Sequence, residues 1–202
     1  DSMSGTFENI NVPPMLMAFG ITTVDAEQVI SPELKYEGNK LYLVKHTPLK
    51  NYMPDVEQLK ANWKYIHEQV QADNIVSAYA LGFGGIAEAI CKMSFGNGLD
   101  AKINVPESEL FNYGYGSILV EAENALNYPN AVLIGEVTDG EESELTVNGV
   151  KFDLFDLMAA NGAKFAQVYP DTAEAYHKDI VPAGMEGVKP YKAKRADLKY
   201  KG

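Results

Sequence analysis

The sequence has few of the features that mark secreted, membrane-spanning or metal-binding proteins. Cys91 is its only cysteine, which excludes a disulfide within the chain and a cysteine-based metal cluster. No run approaches the roughly 18 consecutive apolar residues of a membrane span. The first residues, "DSMSGTFENINVPP", have neither the basic start nor the apolar core of a secretion signal, and they do not begin with Met. We therefore expect a piece of a longer cytoplasmic protein, with no membrane partner and no metal site.

Basic residues are also few, with 17 Lys and Arg against 28 Asp and Glu, a formal net charge of -11. This balance disfavours non-specific binding to nucleic acid, so we expect no nucleic-acid partner. The charge is unevenly distributed, because residues 178–202 hold seven basic and three acidic side chains whereas the preceding 177 residues have a net charge of -15. This last segment also contains three glycines and two prolines without a clear period. We interpret residues 1–177 as one domain and residues 178–202 as an extended linker.

The 202 residues, 46% of them hydrophobic, are enough for one large domain with a real core. Apolar periodicity predicts an α+β fold, a mixed sheet layered with helices. Asn148–Gly149 is the strongest hairpin signal in the chain, and it excludes a purely parallel sheet. The predicted strands are 13–24, 40–46, 74–81, 99–105, 116–123, 131–138 and the hairpin 144–152, and the predicted helices are 54–71, 85–95, 153–162 and 171–178.

A glycine-rich turn, "SAYALGFGGIAEAI" at residues 77–90, lies between a predicted strand and a predicted helix. Gly82, Gly84 and Gly85 would let backbone N–H groups and the helix dipole point at one spot, which is a phosphate site in principle. No Gly-Lys-Ser/Thr ends the turn, and it is not a dinucleotide fingerprint. Two readings stay open at this point: a ligand-binding loop, with these three glycines as candidates, or a tight turn that allows close packing of helix on strand.

The histidines and the cysteine do not form a catalytic pattern. His46 ends a predicted strand, His67 lies beside the apolar stripe of the long helix, and His177 is near the tail, with no shared spacing. We expect His67 to be half-buried. Nothing in the sequence near Cys91 would lower the pKa of its thiol, so we interpret it as a packing residue.

The acidic and aromatic clusters are no more specific. The acids of "EVTDGEESE", residues 136–144, lack the spacing of a calcium loop and are read as a solvated turn. Phe111, Tyr113 and Tyr115 surround two glycines and fit either a groove or ordinary loop packing. We therefore assign no catalytic residues, and their absence indicates part of an enzyme or a binding module.

Three stretches in the same order carry a resemblance. "NVPPMLMAFGITTVDAEQVISPELKYEGNKLYLV", "VSAYALGFGGIAEAICKMSFGNGLDAKIN" and "NAVLIGEVTDGEESELTVNGVKF" resemble the C-terminal half-domain of the aminoimidazole ribonucleotide synthetase-like superfamily. Within it the likeness is to the phosphoribosylformylglycinamidine synthase family, at the second such domain of its long single-chain form. The resemblance covers roughly residues 10–177. It implies a mixed, largely antiparallel sheet layered with helices, and the tail resembles the linker into a glutamine amidotransferase domain.

The chain departs from the family pattern at the glycine turn. The family's usual turn reads His-Asp-x-Ser-Asp-Gly-Gly, and alignment on Gly84–Gly85 places Tyr79, Ala80, Gly82 and Phe83 at the polar positions. Any chemistry of those polar side chains therefore does not carry over. What remains by resemblance is a backbone turn that faces a cleft where phosphate-bearing ligands bind.

The resemblance implies a ligase of purine biosynthesis that uses glutamine as amide donor, with ATP and Mg²⁺, to convert formylglycinamide ribonucleotide to its amidine. Its partners would be the ATP-binding and amidotransferase domains of the same long chain, together with the small ribonucleotide substrate. The present segment would shape the active-site cleft, bind no cofactor itself and be inactive alone. The alternatives are a related ATP-dependent synthetase domain and a non-enzymatic acidic binding module.

Overall fold

The computed structural model describes residues 2–163 and residue 166. The chain divides into two compact units, Asp1–Leu157 and Met158–Gly202. The second unit is described only at residues 158–163 and 166, which are mostly exposed. The predicted helix at 171–178 and the predicted boundary between residues 177 and 178 lie outside the described residues.

The described residues form nine strands and four α-helices. The strands are β1 (Ser2–Phe7), β2 (Ile10–Leu16), β3 (Lys40–Val44), β4 (Ile75–Ala80), β5 (Asp100–Ile103), β6 (Ile118–Ala122), β7 (Ala131–Thr138), β8 (Glu144–Val147) and β9 (Val150–Asp153). The helices are α1 (Val56–Gln71), α2 (Gly85–Phe95), α3 (Glu107–Leu110) and α4 (Leu154–Ala163), with short 3-10 turns at Ala26–Gln28 and Lys50–Tyr52.

Seven strands form one sheet in the order β4-β6-β3-β7-β5-β8-β9, and β1 pairs only with β2 in a separate hairpin. All neighbours in the large sheet are antiparallel except β5 and β8, which run parallel. The prediction of a mixed, largely antiparallel α+β sheet is therefore confirmed. The β8–β9 hairpin turns at Asn148 and Gly149, whose φ angles of 51° and 82° suit the tight turn that this pair predicts.

The central strands are buried on both faces of the sheet. Successive side chains of a strand point to opposite faces, so Leu41 and Leu43 of β3 join one core while Tyr42 and Val44 join the other. The first core contains the apolar face of α2, and the second contains that of α1. The two helices therefore lie on opposite faces, as a layered sheet requires.

Helix caps and apolar periodicity in the sequence predict where most of these elements begin and end. Asp55 caps α1 by accepting a hydrogen bond from Gln58 N at 3.0 Å, as its position before the helix predicts. Helix α2 begins and ends where its periodicity predicts. Asp153 similarly caps α4, accepting from Asp156 N at 2.9 Å, although the helix continues past Gly162 rather than ending there.

The predicted buried strand at 13–24 is wrong. This part of the chain contributes only the end of β2, all seven residues of which are exposed, and residues 17–24 form no strand. Its partner β1 was not predicted, because "SMSGTF" has neither alternation nor an apolar run. A run of apolar residues predicts burial only when the fold brings a second surface against it.

Three local patterns predict something other than what the structure shows. Trp63 belongs by its spacing to the apolar stripe of α1 but is 51% exposed. The alternation of apolar and polar residues at 99–105 predicts a half-exposed strand, but β5 lies between β7 and β8 and three of its four residues are buried. Gly96 and Gly98 after α2 are typical of left-handed helix ends, but only Gly98 has positive φ, at 64°, whereas Gly96 is right-handed.

Glu121 places a carboxylate inside the protein on the same face of β6 as Leu119. Its side chain is fully buried and accepts hydrogen bonds from the backbone N–H groups of Lys35 and Tyr36, at 2.8 and 3.0 Å, and from Asn39 Nδ2 at 2.8 Å. A buried charge is tolerated only with such partners. Glu121 therefore fixes the segment that leads into β3.

We expect Glu121→Leu to lower the free energy of unfolding by about 3 kcal/mol, because it leaves one buried and two partly buried donors without an acceptor. Urea denaturation of the purified chain measures this. Glu123→Leu is the matched control, since Glu123 is exposed two residues away. Equal stability of the two variants would contradict the assigned role of Glu121.

Asp100 provides a prediction about pH. Burial raises the pKa of this carboxyl above its ordinary value of 3.8, the nearby acidic groups Asp139 and Glu142 raise it further, and the N–H of Glu144, which donates to Asp100 Oδ1 at 2.8 Å, opposes the shift. A raised carboxyl pKa favours folding below the unfolded pKa, and that contribution is lost as pH rises through the folded pKa. Asp100→Asn keeps the acceptor and removes the titration. We therefore expect the variant to gain stability over wild type as pH rises from the ordinary pKa to neutrality.

Thermal melts of both proteins across this pH range check the sign. Asp73→Asn serves as the control, because Asp73 is exposed and its φ of 54° suits Asn. This control replaces an exposed aspartate rather than a buried one. A stability difference between Asp100→Asn and wild type that stays constant over this range would contradict the pKa shift.

Candidate functional site

The glycine turn joins the end of β4 to the start of α2. Strand β4 ends at Ala80, Leu81 N donates to Ser117 O at 2.9 Å, and α2 begins at Gly85. Gly85 N donates to Gly82 O at 3.3 Å, which closes the turn. The strand–glycine–helix arrangement expected from the sequence is therefore present.

The space available for a side chain differs among the three candidate glycines. Gly85 has a φ of 63°, and a Cβ there would lie 2.6 Å from the carbonyl oxygen of Asn112 and 2.9 Å from that of Leu110. At Gly84 a Cβ would lie 2.5 Å from the Cβ of Glu88. At Gly82 it would meet only Glu88 Oε2, at an ordinary 3.9 Å. Close packing therefore requires glycine at positions 84 and 85, and leaves space at position 82.

A carboxylate of the chain itself occupies the anion position of this turn. Glu88 Oε2 accepts from Gly84 N at 2.9 Å, and Glu88 Oε1 accepts from Lys92 Nζ at 2.6 Å. The Lys92 ammonium, followed by the Gly84 N–H, holds the pKa of Glu88 below its ordinary value. An external phosphate can reach the Gly84 N–H only after this carboxylate leaves it.

Exposed aromatic rings extend from the turn. Phe83 stacks on Tyr113 with ring centroids 4.9 Å apart and an interplanar angle of 23°, and Tyr113 lies 6.3 Å from Tyr115 at a tilt of 46°. Each of the three rings is more than half exposed. The groove that Tyr113 and Tyr115 allow from sequence is present, whereas Phe111 is exposed and does not line it.

This groove, which we call the His46 cleft, has a volume of about 640 Å³. Leu81 and Ile86, on either side of the glycine turn, form part of its wall, and the end of β3 and the start of α1 form the opposite part. Most of its lining side chains are apolar or aromatic. The charged groups are Lys45 and Glu109, whose Nζ and Oε1 atoms form an ion pair at 2.8 Å.

His46 is a polar residue of this wall, and its place in a cleft was not recognised from the sequence. It is 6% exposed, and neither Nδ1 nor Nε2 has a hydrogen-bond partner. Its backbone N–H donates to Ser117 Oγ at 2.9 Å, and Asn62 Nδ2 holds the carbonyl of Lys45 at 3.1 Å. The only sequence signal was its position at the end of a predicted strand, which does not reveal burial.

The remaining candidates lie apart from this cleft. His67 is exposed on α1 rather than half-buried, and His177 lies outside the described residues. Burial raises the pKa of the Cys91 thiol, which is consistent with packing rather than nucleophilic chemistry. The acids of residues 136–144 include Glu142 and Glu144, both ion-paired with Lys151.

The described residues contain neither a metal-binding cluster nor a membrane-spanning helix. They contain no group of three or more His, Cys, Asp or Glu side chains arranged to hold a metal ion. Among the same residues, no helix has both the length and the apolar character needed to cross a membrane.

Comparison of the sequence with known proteins identifies relatives of one kind. The PurL subunit of phosphoribosylformylglycinamidine synthase from two strains of Lactobacillus delbrueckii subsp. bulgaricus is 26% identical over an alignment of 173 residues that covers 73% of this chain. The chain spans about a quarter, 23%, of the length of these curated relatives. No protein-family model matches the chain.

Solved structures show the same likeness in fold. Phosphoribosylformylglycinamidine synthase II from Thermotoga maritima superposes with a TM-score of 0.54 at 14% identity, over 65% of this chain and 28% of that one. PurL of T. maritima complexed with FGAR gives a TM-score of 0.53 at 14% identity, over 65% and 30% of the two chains. With its largely antiparallel α+β sheet and its 26% identity to the Lactobacillus subunit, the chain resembles a domain of PurL in both fold and sequence.

Proposed function

We propose that this chain is a non-catalytic domain of a cytoplasmic ligase that makes formylglycinamidine ribonucleotide from formylglycinamide ribonucleotide in purine biosynthesis. The longer protein would use ATP, Mg²⁺ and the amide nitrogen of glutamine. The observation that carries the proposal is the 26% identity to PurL, which extends over 73% of the chain and agrees with the fold. The domain would shape the active-site cleft rather than perform the reaction.

The exposed apolar segment before β3 supports a role inside a larger assembly. A two-stranded hairpin is marginally stable by itself, and an apolar surface of this extent is uncommon on an isolated domain. We propose that other domains of the same long chain cover it, since the relatives are about four times as long. The exposed side chains are Ile10, Leu16, Phe19, Ile21, Val24 and Val29, all at least 60% exposed.

The environment of Cys91 agrees with a supporting role, because burial raises the pKa of its thiol and makes it a poor nucleophile. We propose that ATP, Mg²⁺ and the glutamine-cleaving group are held by other domains, including an amidotransferase reached through residues 178–202. One structural neighbour is PurLQS of T. maritima, whose name indicates that PurL acts there together with other subunits.

We also propose that Gly82, Gly84 and Gly85 contact a ligand phosphate in the assembled enzyme, in exchange for the Glu88 carboxylate. The support is local: the Gly84 N–H already holds an anionic oxygen at 2.9 Å, so its direction suits a phosphate oxygen. The proposal assigns the glycines a second role beside close packing.

Activity assays test the ligase proposal. We expect the purified 202-residue chain to show no glutamine- or ammonia-dependent ATP consumption with formylglycinamide ribonucleotide, whereas the longer gene product forms the amidine. Turnover by the chain alone would show that it is not a supporting domain. An inactive but folded longer product would contradict the ligase assignment and favour the acidic binding module.

The phosphate proposal needs a variant that opens the turn without straining it. Gly85→Ala is unsuitable by itself, because positive φ and two nearby carbonyls predict a loss of more than about 1 kcal/mol of stability whatever the turn binds. In Glu88→Ala the Gly84 N–H no longer has a carboxylate to which it donates a hydrogen bond. We expect Glu88→Ala to bind inorganic phosphate about tenfold more tightly than wild type, measured from the Gly84 amide shift.

The matched control is Glu68→Ala, which removes the carboxylate of another i,i+4 ion pair, with Lys64 on α1. It should leave the Gly84 amide and phosphate affinity unchanged. If the Gly84 amide of folded Glu88→Ala does not respond to phosphate, the glycines have a structural role only.

A further inference from the structure

We propose that the His46 cleft binds an uncharged, planar heterocyclic compound, held by a hydrogen bond to His46 and by stacking on Tyr113 and Tyr115. This inference rests on the described residues of the cleft and does not depend on the ligase proposal. It assigns a ligand site separate from the anion position at Gly84.

The size and walls of the cleft suit a small molecule. Its volume of about 640 Å³ lies within the range of ligand pockets. Apolar contacts come from Leu43, Leu59, Leu81 and Ile86. A flat ligand suits this lining, because each of its faces makes dispersion contacts with apolar and aromatic side chains.

The aromatic rings at the mouth favour a planar partner. Tyr113 and Tyr115 are 59% and 61% exposed while lining the cleft, so each keeps ring surface open to a ligand, although Phe83 covers one face of Tyr113. The offset stack of Phe83 on Tyr113 shows that a second ring fits against Tyr113 at 4.9 Å. Stacking tolerates different substituents on the ring, so it selects for a planar compound rather than for one particular compound.

His46 is the observation that points to hydrogen bonding. A neutral imidazole has one donor and one acceptor, and both are buried here without a partner. Buried polar groups in native proteins are almost always satisfied, so an orphaned pair requires an explanation. A heterocycle with donor and acceptor groups satisfies whichever of the two nitrogens faces the cleft, as donor or as acceptor according to the tautomer of the imidazole.

The residues around His46 leave room for its imidazole ring in the wall of the cleft. Gly116 has a φ of 87°, and a Cβ on it would lie 2.8 Å from both His46 Cδ2 and Leu59 Cδ2. Glycine at position 116 therefore leaves the space that the ring occupies. The same wall contains Tyr52, whose φ of 59° is a strained conformation for a bulky residue, of the kind that clusters at ligand sites.

The charges select against an anionic ligand. Lys45 is the only cation among the lining residues, and it is paired with Glu109 at 2.8 Å. The chain as a whole carries a net charge of -11. A phosphate in this cleft would have no free cation to meet, which is why the proposed ligand is uncharged.

Adenine is a suitable probe, because its ring carries the N6 donor beside the N1 and N7 acceptors and has no charge. We expect the purified 202-residue chain to bind adenine saturably, with shifts in the imidazole ¹⁵N resonances of His46 and the amides of residues 113–117. Adenosine 5′-monophosphate should bind no more tightly than adenine. Much tighter binding of the monophosphate would overturn the uncharged class.

Variants separate a ligand role from a packing role. We expect His46→Leu to weaken adenine binding at least about tenfold while its Tm is equal to or above that of wild type, because two orphaned buried atoms are removed. His67→Leu, at an exposed histidine, should change neither quantity. Tyr113→Ala should weaken binding without unfolding the chain, since Tyr113 is mostly exposed, whereas Phe111→Ala, at a ring outside the cleft, should not.

Three results would overturn the proposal. The first is the absence of saturable adenine binding by wild type at millimolar concentration. The second is unchanged affinity in folded His46→Leu. If His46→Leu does not fold, unchanged affinity in Tyr113→Ala is the third, because that exposed position reports on binding by itself.

Discussion

Burial of β3 and β6 on both faces is the constraint on which the rest of the structure depends. Leu41 and Leu119 face α2, whereas Tyr42 and Val120 face α1, so neither strand has a solvent side. Residues on each face must therefore suit a different helix, and a one-residue slip in register would exchange the two cores. The loops that carry the cleft and the glycine turn leave from the ends of these strands and their neighbours, so the same packing positions them.

Polar groups buried among these layers are satisfied within the chain, with a small number of exceptions. Glu121 anchors residues 35–39 and Asn62 anchors the segment after β3, each with several partners. Glu88 similarly satisfies the Gly84 N–H at the start of α2. The imidazole of His46 and the hydroxyl of Ser94 depart from this pattern, and under our proposal a ligand hydrogen-bonds the imidazole.

The domain combines a well-packed body with an apolar surface that nothing described in the chain covers. The exposed residues of β2 and of residues 17–29 contrast with core side chains such as Leu41 and Ile90, which are fully buried. Since relatives of the chain are about four times as long, this contrast fits a domain that completes its surface against the remainder of a larger protein. The aromatic rings beside the cleft are exposed for a different reason under our proposal, namely to receive a ligand.

The sequence by itself determined those features that depend on near neighbours along the chain. The α2 boundaries, the Asp55 cap, the Asn148–Gly149 hairpin and the glycine turn were all predicted, because periodicity, capping and turn chemistry act over a few residues. Likeness to a family supplied the largely antiparallel sheet. Only the tertiary structure decided that the apolar residues 13–24 are exposed and that His46 is buried without a partner. Those outcomes depend on which distant segments meet, since burial and hydrogen bonding across the sheet have no signature in local sequence.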